Sequence, residues 1–300
     1  MISVIICTYN REKFILKTLQ CIRDQSFPET GFEIIILNNN SSDTTKAICI
    51  EFINQSSGFN INYVEEYNQG LSYARNRGLK EAKGDIITFI DDDAFAVPDF
   101  LKSIQDFFTQ NPSALTLGGK VEPQFEAEKP SWMSPFLMPL VAALDMGEGI
   151  KEFQGKGFPV GANMSFRREV FDKFGLFNNE LGRKGNNLLG SEEKDFFNRL
   201  KQAGVKIFYL PKAKVTHVIP PSRTSLEYIK RQAIGIGLSE KLRVRSIGAA
   251  EEFKRTMEEL FKVGATLVIA LFYFLTGRFS KAIMLIKFRL WVLNGFYSLH

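Results

Sequence analysis

Three carboxylates in a row, Asp91-Asp92-Asp93, stand directly after the apolar run Ile87-Thr88-Phe89-Ile90. Packed together at the end of a buried strand, they repel one another and raise each other's pKa unless a cation is bound. Carboxylates suit Mg²⁺ or Mn²⁺, and the carboxyl end of a sheet strand is where α/β folds bind ligands, so one reading is a metal–diphosphate site. The other is a solvated acidic turn that caps the helix after Pro98. A second acidic group, Glu192-Glu193-Lys194-Asp195, enters a helical stretch that reaches Arg199. Acids at a helix N-terminus and an Asp195–Arg199 pair account for part of it. The doubled Glu192-Glu193 leaves room for a general base toward a hydroxyl. His217 ends a strand-like run and is one of 2 His in the chain, His300 being the other. It serves either as a structural residue or as a further ligand to a hard cation.

These groups need a scaffold. Residues 3–7, 32–37, 61–64, 85–90 and 114–117 are short apolar runs, continuous rather than alternating, as strands buried on both faces of a parallel sheet are. Between them 12–24, 42–55, 71–82 and 98–109 carry apolar residues at helical spacing, with Asp43 and Pro98 near two of the starts. The alternation predicts a right-handed α/β unit. Residues 118–159 are rich in Pro, Gly, Met and acids, show no sustained period, and read as a long irregular region. Regular signals return at 160–166, at a helix over 192–203 and at strands over 206–210 and 215–217, and helices dominate from 225 onward.

Length and composition bound the class. The chain has 300 residues, 45% hydrophobic and 24% charged, which excludes a disordered or collagen-like polypeptide. Its 3 Cys (Cys7, Cys21 and Cys49) lie early and form no CxxC, so neither a disulfide scaffold nor a cysteine zinc module is expected. Residues 1–6 lack a basic region and a small-residue cleavage site, so no secretory leader is expected. The net charge of +5 is unevenly placed: residues 228–300 hold 12 basic and 5 acidic side chains, which leaves 26 and 28 before them. A near-neutral body with a basic tail does not point to nucleic acid.

The motifs and their order resemble family 2 glycosyltransferases, which have the GT-A fold. The opening Ser3-Val4-Ile5-Ile6-Cys7-Thr8-Tyr9-Asn10-Arg11 is followed by Leu37-Asn38-Asn39-Asn40-Ser41-Ser42-Asp43-Thr44, then by Asn68-Gln69-Gly70 with Ala74-Arg75-Asn76. Phe89-Ile90-Asp91-Asp92-Asp93, Gly161-Ala162-Asn163-Met164-Ser165-Phe166-Arg167 and Gly190-Ser191-Glu192-Glu193 complete the series. The resemblance covers about residues 1–225. It implies a Rossmann-like, mostly parallel central sheet flanked by helices, with a nucleotide-binding half (1–120), an acceptor-binding half (121–225) and a helical, membrane-associated extension (226–300). It also implies an inverting transferase that moves a sugar from a nucleotide-sugar donor to a hydroxyl of a lipid-linked or polysaccharide acceptor.

Carried over by position, Thr8 and Tyr9 line the nucleotide pocket and Asn38 stands where the family usually has an Asp on the base. Asn68 and Arg75 lie on the nucleotide or diphosphate, joined in the donor site by Asp91 and Asp92. Asp93 is the direct ligand of a divalent metal, Mn²⁺ or Mg²⁺, and His217 completes that site. Glu193 stands where the family's Glu-Asp motif has its general base, with Glu192 as its rival for that role. The acceptor is expected at 118–159, with Trp132, and at Gly161, Ala162 and Asn163. Two other enzyme classes fit less well. A haloacid-dehalogenase-like phosphohydrolase would make Asp91 a nucleophile but expects Thr or Val where Phe95 stands. A dinucleotide oxidoreductase would need a GxGxxG after the first strand, which is missing. The non-enzyme alternative is an inactive sugar-nucleotide-binding protein that recruits partners to a membrane.

In the tail, 263–277 are uncharged but fall short of the ~20 residues that span a bilayer. Beyond them, Arg278, Lys281 and Arg289 fall on one face of a helix and Lys287 opposite. Basic, aromatic and acid-free, this stretch reads as an interfacial helix at the cytoplasmic face of a membrane, the alternatives being a true span and a buried core helix.

Overall fold

The computed structural model describes residues 1–182 and 191–298. The fold is α/β. Strands β1 (Ile2–Thr8), β2 (Phe32–Asn38), β3 (Ile61–Glu65) and β4 (Ile86–Asp91) alternate with helices α1 (Ile15–Arg23), α2 (Thr45–Asn54) and α3 (Leu71–Glu81). Then come β5 (Ala94–Ala96), α4 (Phe100–Gln110), β6 (Thr116–Phe125), β7 (Lys151–Glu152), β8 (Asn163–Arg167), α5 (Glu169–Phe174), α6 (Glu192–Gln202) and β9 (Ile207–Ile219). They form one sheet in the order β3-β2-β1-β4-β8-β6-β9-β5, with β7 on β9.

The apolar runs are continuous because both faces of the sheet are covered. Ile2, Val4 and Ile6 of β1 pack with α1, α2 and α4 on one side, while Ile5 packs with α3 and α6 on the other. Parallel pairing is confined to β3-β2-β1-β4; β8 runs antiparallel to β4 and β6, and β5 and β7 run antiparallel to β9. The sheet is therefore mixed, more so than the strand–helix alternation of the first 120 residues suggests. The parallel register sets Thr8 opposite Asn38 and Cys7 opposite Asp91, so three strands deliver their carboxyl ends to one edge.

Three local expectations differ from the structure. Where the sequence predicts two strands, over 206–210 and 215–217, there is one, Ile207–Ile219: β7 pairs residues 208 and 209 and β5 pairs 215–217, so the missing N–H of Pro211 interrupts neither ladder. The irregular middle is shorter than 118–159, because β6 continues to Phe125, a 3-10 turn covers Pro135–Val141, and β7 lies within it. β5 and α5 are too short to leave a periodic signal.

Under α6 lies an aromatic cluster. Phe196 and Phe197 are fully buried, with Phe196 4.8 Å from Phe177 and 5.6 Å from Phe166, centroid to centroid. Each such ring contributes about 1.5–3 kcal/mol by leaving water, and together they fix the helix whose first turn carries Glu192 and Glu193.

The chain divides into two compact units, the second made of Phe125–Val141, Leu181, Gly182, Ser191 and the described residues from Ile219 on. Its helices are α7 (Leu226–Ile247), α8 (Ala249–Leu275) and α9 (Phe279–Tyr297). α7 starts at Ser225, whose hydroxyl accepts from the Tyr228 N–H. α7 and α9 touch backbone to backbone: a Cβ on Gly237 would meet the Val292 carbonyl at 2.1 Å, and one on Gly295 the Ile234 carbonyl at 2.1 Å. The interior of this unit is ionic. Glu259, 1% exposed, accepts from Arg255 (2.7 Å), Lys262 (2.8 Å) and Arg289 (2.9 Å). Arg289 therefore faces Glu259 rather than sharing an outward basic face with Arg278 and Lys281. No helix among the described residues is long and apolar enough to cross a membrane.

Candidate active site

The acidic run splits by direction. Asp91 ends β4, and the chain turns at once into β5, where Ala94 pairs with His217 and the Val218 N–H donates to the Asp93 carbonyl at 3.0 Å. That register sets His217 Nε2 2.9 Å from Asp93 Oδ1, with both side chains 1% exposed. One ligand atom each from Asp91, Asp93 and His217 falls within 4.8 Å of the others. Two carboxylates and an imidazole are a donor set that Mn²⁺ accepts well and Mg²⁺ accepts through its oxygens, so the residues fit a hard divalent cation.

Asp92 faces the other way. Its carboxylate accepts from Arg11 Nε (3.1 Å) and the Tyr9 N–H (3.4 Å), and its carbonyl accepts from the Thr18 hydroxyl at 2.8 Å. Burial pushes this carboxyl up to about 6, opposed by Arg11 and reinforced by Asp93 and Asp91. Asp92 thus ties the segment after β1 to the acidic turn. Arg11, to which sequence reasoning gave no role, also reaches Asp93 Oδ2 at 3.4 Å. Its place among the motif residues was the available signal.

Around the carboxyl ends of β1 and β2, polar side chains knit the loops together. Thr8 is buried and Tyr9 half-exposed at the end of β1. The Asn38 amide donates to the Tyr63 hydroxyl at 2.8 Å and accepts from the Ser41 N–H at 3.1 Å. Its neighbour Asn39, also without an assigned role, is a hub: it donates to the carbonyls of Glu66 (2.9 Å) and Asn68 (2.8 Å) and accepts from the Gly70 N–H (2.8 Å). Asn68 is exposed, held by Glu66 at 2.7 Å.

Arg75 is 2% exposed on α3, stacked 5.4 Å from the Phe177 ring. It donates from Nη1 to Glu192 Oε1 at 3.0 Å and from Nη2 to Glu193 Oε1 at 2.8 Å. The guanidinium expected on the nucleotide or diphosphate is engaged with the two glutamates in this structure. Glu192 is buried, whereas the Glu193 side chain is 23% exposed. Burial pushes the Glu193 carboxyl up to about 7, helped by the charges of Glu192 and Asp91 and opposed by Arg75. A carboxyl held near neutrality, partly open and in the field of Asp91, has the properties of a general base.

The expected acceptor residues scatter. Gly161 lies against the glutamates: a Cβ there would stand 1.8 Å from Glu193 Oε1 and 2.3 Å from Arg75 Nη2. Ala162 is fully buried in the core, and Asn163, also fully buried, donates to the carbonyls of Ala213 (2.7 Å) and Lys120 (3.2 Å). Both side chains are engaged within the core at the start of β8. Trp132 lies in the second unit, half-buried.

Known proteins place this arrangement. The sequence profile of glycosyl transferase family 2 matches residues 3–175. The glucosyl-dolichyl phosphate glucuronosyltransferase of Haloferax volcanii is 27% identical over 80% of this chain and 76% of its own length. Among solved structures, the mannosyltransferase PcManGT of Pyrobaculum calidifontis, in complex with GDP-Man and Mn²⁺, superposes with a TM-score of 0.66. It does so at 16% identity, over all of this chain and 88% of that one. Residues 1–349 of S. aureus TarS superpose with a TM-score of 0.54 at 22% identity over 78% of this chain, which spans 65% of that one. At such identities the superpositions establish the GT-A fold alone. The phosphohydrolase and dinucleotide oxidoreductase readings give way, and the profile match establishes that the chain belongs to glycosyltransferase family 2.

Proposed function

We propose that the chain is an inverting glycosyltransferase that moves a sugar from a nucleotide-sugar donor to a hydroxyl of a lipid-linked or polysaccharide glycan, with Glu193 as general base. The observation that carries the reading is Glu193 itself, near neutrality beside Glu192 and within the field of Asp91. The acceptor class is supported by the name of the Haloferax relative, a transferase to a glucosyl-dolichyl phosphate. A nucleotide-sugar donor is supported by the GDP-Man in the PcManGT complex.

In this reading Glu193 accepts the proton of the acceptor hydroxyl as its oxygen attacks the anomeric carbon. The new C–O bond forms as the bond to the diphosphate breaks, and that electron pair leaves on the diphosphate oxygen. A single displacement inverts the carbon, with no protein nucleophile. Arg75 positions the base, and Asn39 and Arg11 brace the loops that form the donor pocket. Asp91, Asp93 and His217 would hold Mn²⁺ or Mg²⁺, which supplies positive charge against the departing diphosphate.

A thermal-shift screen of sugar nucleotides with Mn²⁺ identifies the donor, after which nucleotide release is followed with glycan acceptors. Glu193→Gln is expected to abolish transfer while nucleotide binding stays nearly intact. A fully active Gln variant overturns the assignment.

A further inference from the structure

Helix α8 is amphipathic the wrong way round for water. At ~100° per residue, its side chains divide into two opposite faces. The buried face carries Arg255, Glu259, Thr266, Ala270 and Tyr273. The outward face carries Met257, Leu260, Phe261, Val268, Leu271 and Leu275, with Phe261 79%, Val268 71% and Leu275 79% exposed. The stripe runs the length of the helix from Phe253 onward, about 33 Å at ~1.5 Å per residue. Large contiguous apolar surface of this kind marks a docking site. We propose that the outward face of α8 lies in the surface of an anionic lipid bilayer.

Charge selects the occupant. Residues 228–300 carry 12 basic and 5 acidic side chains, and no acid follows Glu259. Arg278, between α8 and α9, and Lys287, within α9, are exposed. An anionic surface offsets the net positive charge of this tail and receives the apolar side chains of α8. A second copy of the chain would bring two such basic tails together, against their mutual repulsion. The lipid face is therefore α8, the helix before the basic stretch at 278–299 that the sequence suggested. This goes beyond the transferase reading and does not depend on it.

Flotation of the full chain with lipid vesicles, without donor or acceptor, tests the proposal. With phosphatidylcholine containing phosphatidylglycerol the chain is expected to float, and with phosphatidylcholine alone much less of it. Phe261→Glu with Val268→Glu, both at exposed positions, is expected to lower the bound-to-free ratio at least ~10-fold. Arg278→Glu with Lys287→Glu is expected to remove the preference for phosphatidylglycerol while leaving the thermal unfolding curve in place. The proposal is overturned if the chain stays unbound on phosphatidylglycerol vesicles, or if the Phe261 and Val268 variant floats like the wild type. It is equally overturned if sedimentation finds a dimer that the variant splits while neither protein floats.

Discussion

Gly161 stands so close to Glu193 that a methyl group on its α-carbon would lie 1.8 Å from the carboxylate oxygen Oε1. The same methyl would lie 2.3 Å from Arg75 Nη2, so the clash cannot be relieved without moving Glu193 or Arg75. Misplacing a reacting group by ~1 Å costs on the order of 100-fold in rate. Gly161→Ala is therefore expected to lower kcat by about that factor, with donor KM changed only a few-fold. Steady-state kinetics check this, and an unchanged kcat would show that the carboxylate's placement is immaterial.

The pH profile follows from the state of Glu193. Burial first, then Glu192 and Asp91, push its carboxyl up to about 7. Only the carboxylate can accept a proton, so kcat/KM for the acceptor should rise about tenfold per pH unit below 7 and level off above it. Glu193→Gln should flatten the profile and reduce the rate by roughly 10²–10⁴. The flattening separates this group from Asp92, which burial raises to about 6 but which faces Arg11.

Arg75 holds two carboxylates at once, at 3.0 Å and 2.8 Å, from a site 2% exposed. Arg75→Met leaves buried Glu192 without a compensating charge and is expected to cost about 3–5 kcal/mol in urea unfolding. Arg75→Lys should recover little, because a single ammonium replaces a planar fork that reaches both partners. Adding Glu192→Gln to Arg75→Met removes the stranded charge and should restore most of the loss.

Much of this was legible in the sequence, for identifiable reasons. β1, β2 and β4 announce themselves as unbroken apolar runs because helices cover both faces of the sheet. Asp91 and Asp93 stand out because adjacent like charges after such a run are costly without a purpose. What stayed hidden depends on contacts between distant residues. Arg75 meets Glu192 across 117 positions, and no local pattern records that pairing. Asn163 is buried where β6 and β9, distant in sequence, supply the carbonyls of Lys120 and Ala213 for its amide. Likewise Arg289 reads as part of a basic face until Glu259 of α8 is seen beside it.

Metal dependence is testable at the residues themselves. Asp91, Asp93 and His217 bring ligand atoms within 4.8 Å. Removal of one ligand, as in His217→Ala, is expected to weaken Mn²⁺ binding at least ~10-fold, measured by calorimetry or by the paramagnetic resonance of free Mn²⁺. Chelation should stop transfer, and added Mn²⁺ should restore it in the wild type. Undiminished Mn²⁺ affinity in both His217→Ala and Asp93→Asn would place the cation elsewhere.

One buried carboxylate of the second unit gathers three cations. Glu259 is 1% exposed and accepts from Arg255, Lys262 and Arg289, which belong to two different helices. Glu259→Gln keeps the shape but removes the negative charge that Arg255, Lys262 and Arg289 share. Arg255 keeps Glu240 (3.3 Å) and Glu258 (3.1 Å), while Arg289 and Lys262 lose their contact with Glu259, so this variant should unfold at lower denaturant, by roughly 1–3 kcal/mol. Arg289→Met removes a single partner, while Arg255 and Lys262 continue to neutralise Glu259, and should cost less. If the two variants proved equally stable, the cluster would be peripheral to the bundle; the buried position of Glu259 predicts the opposite order.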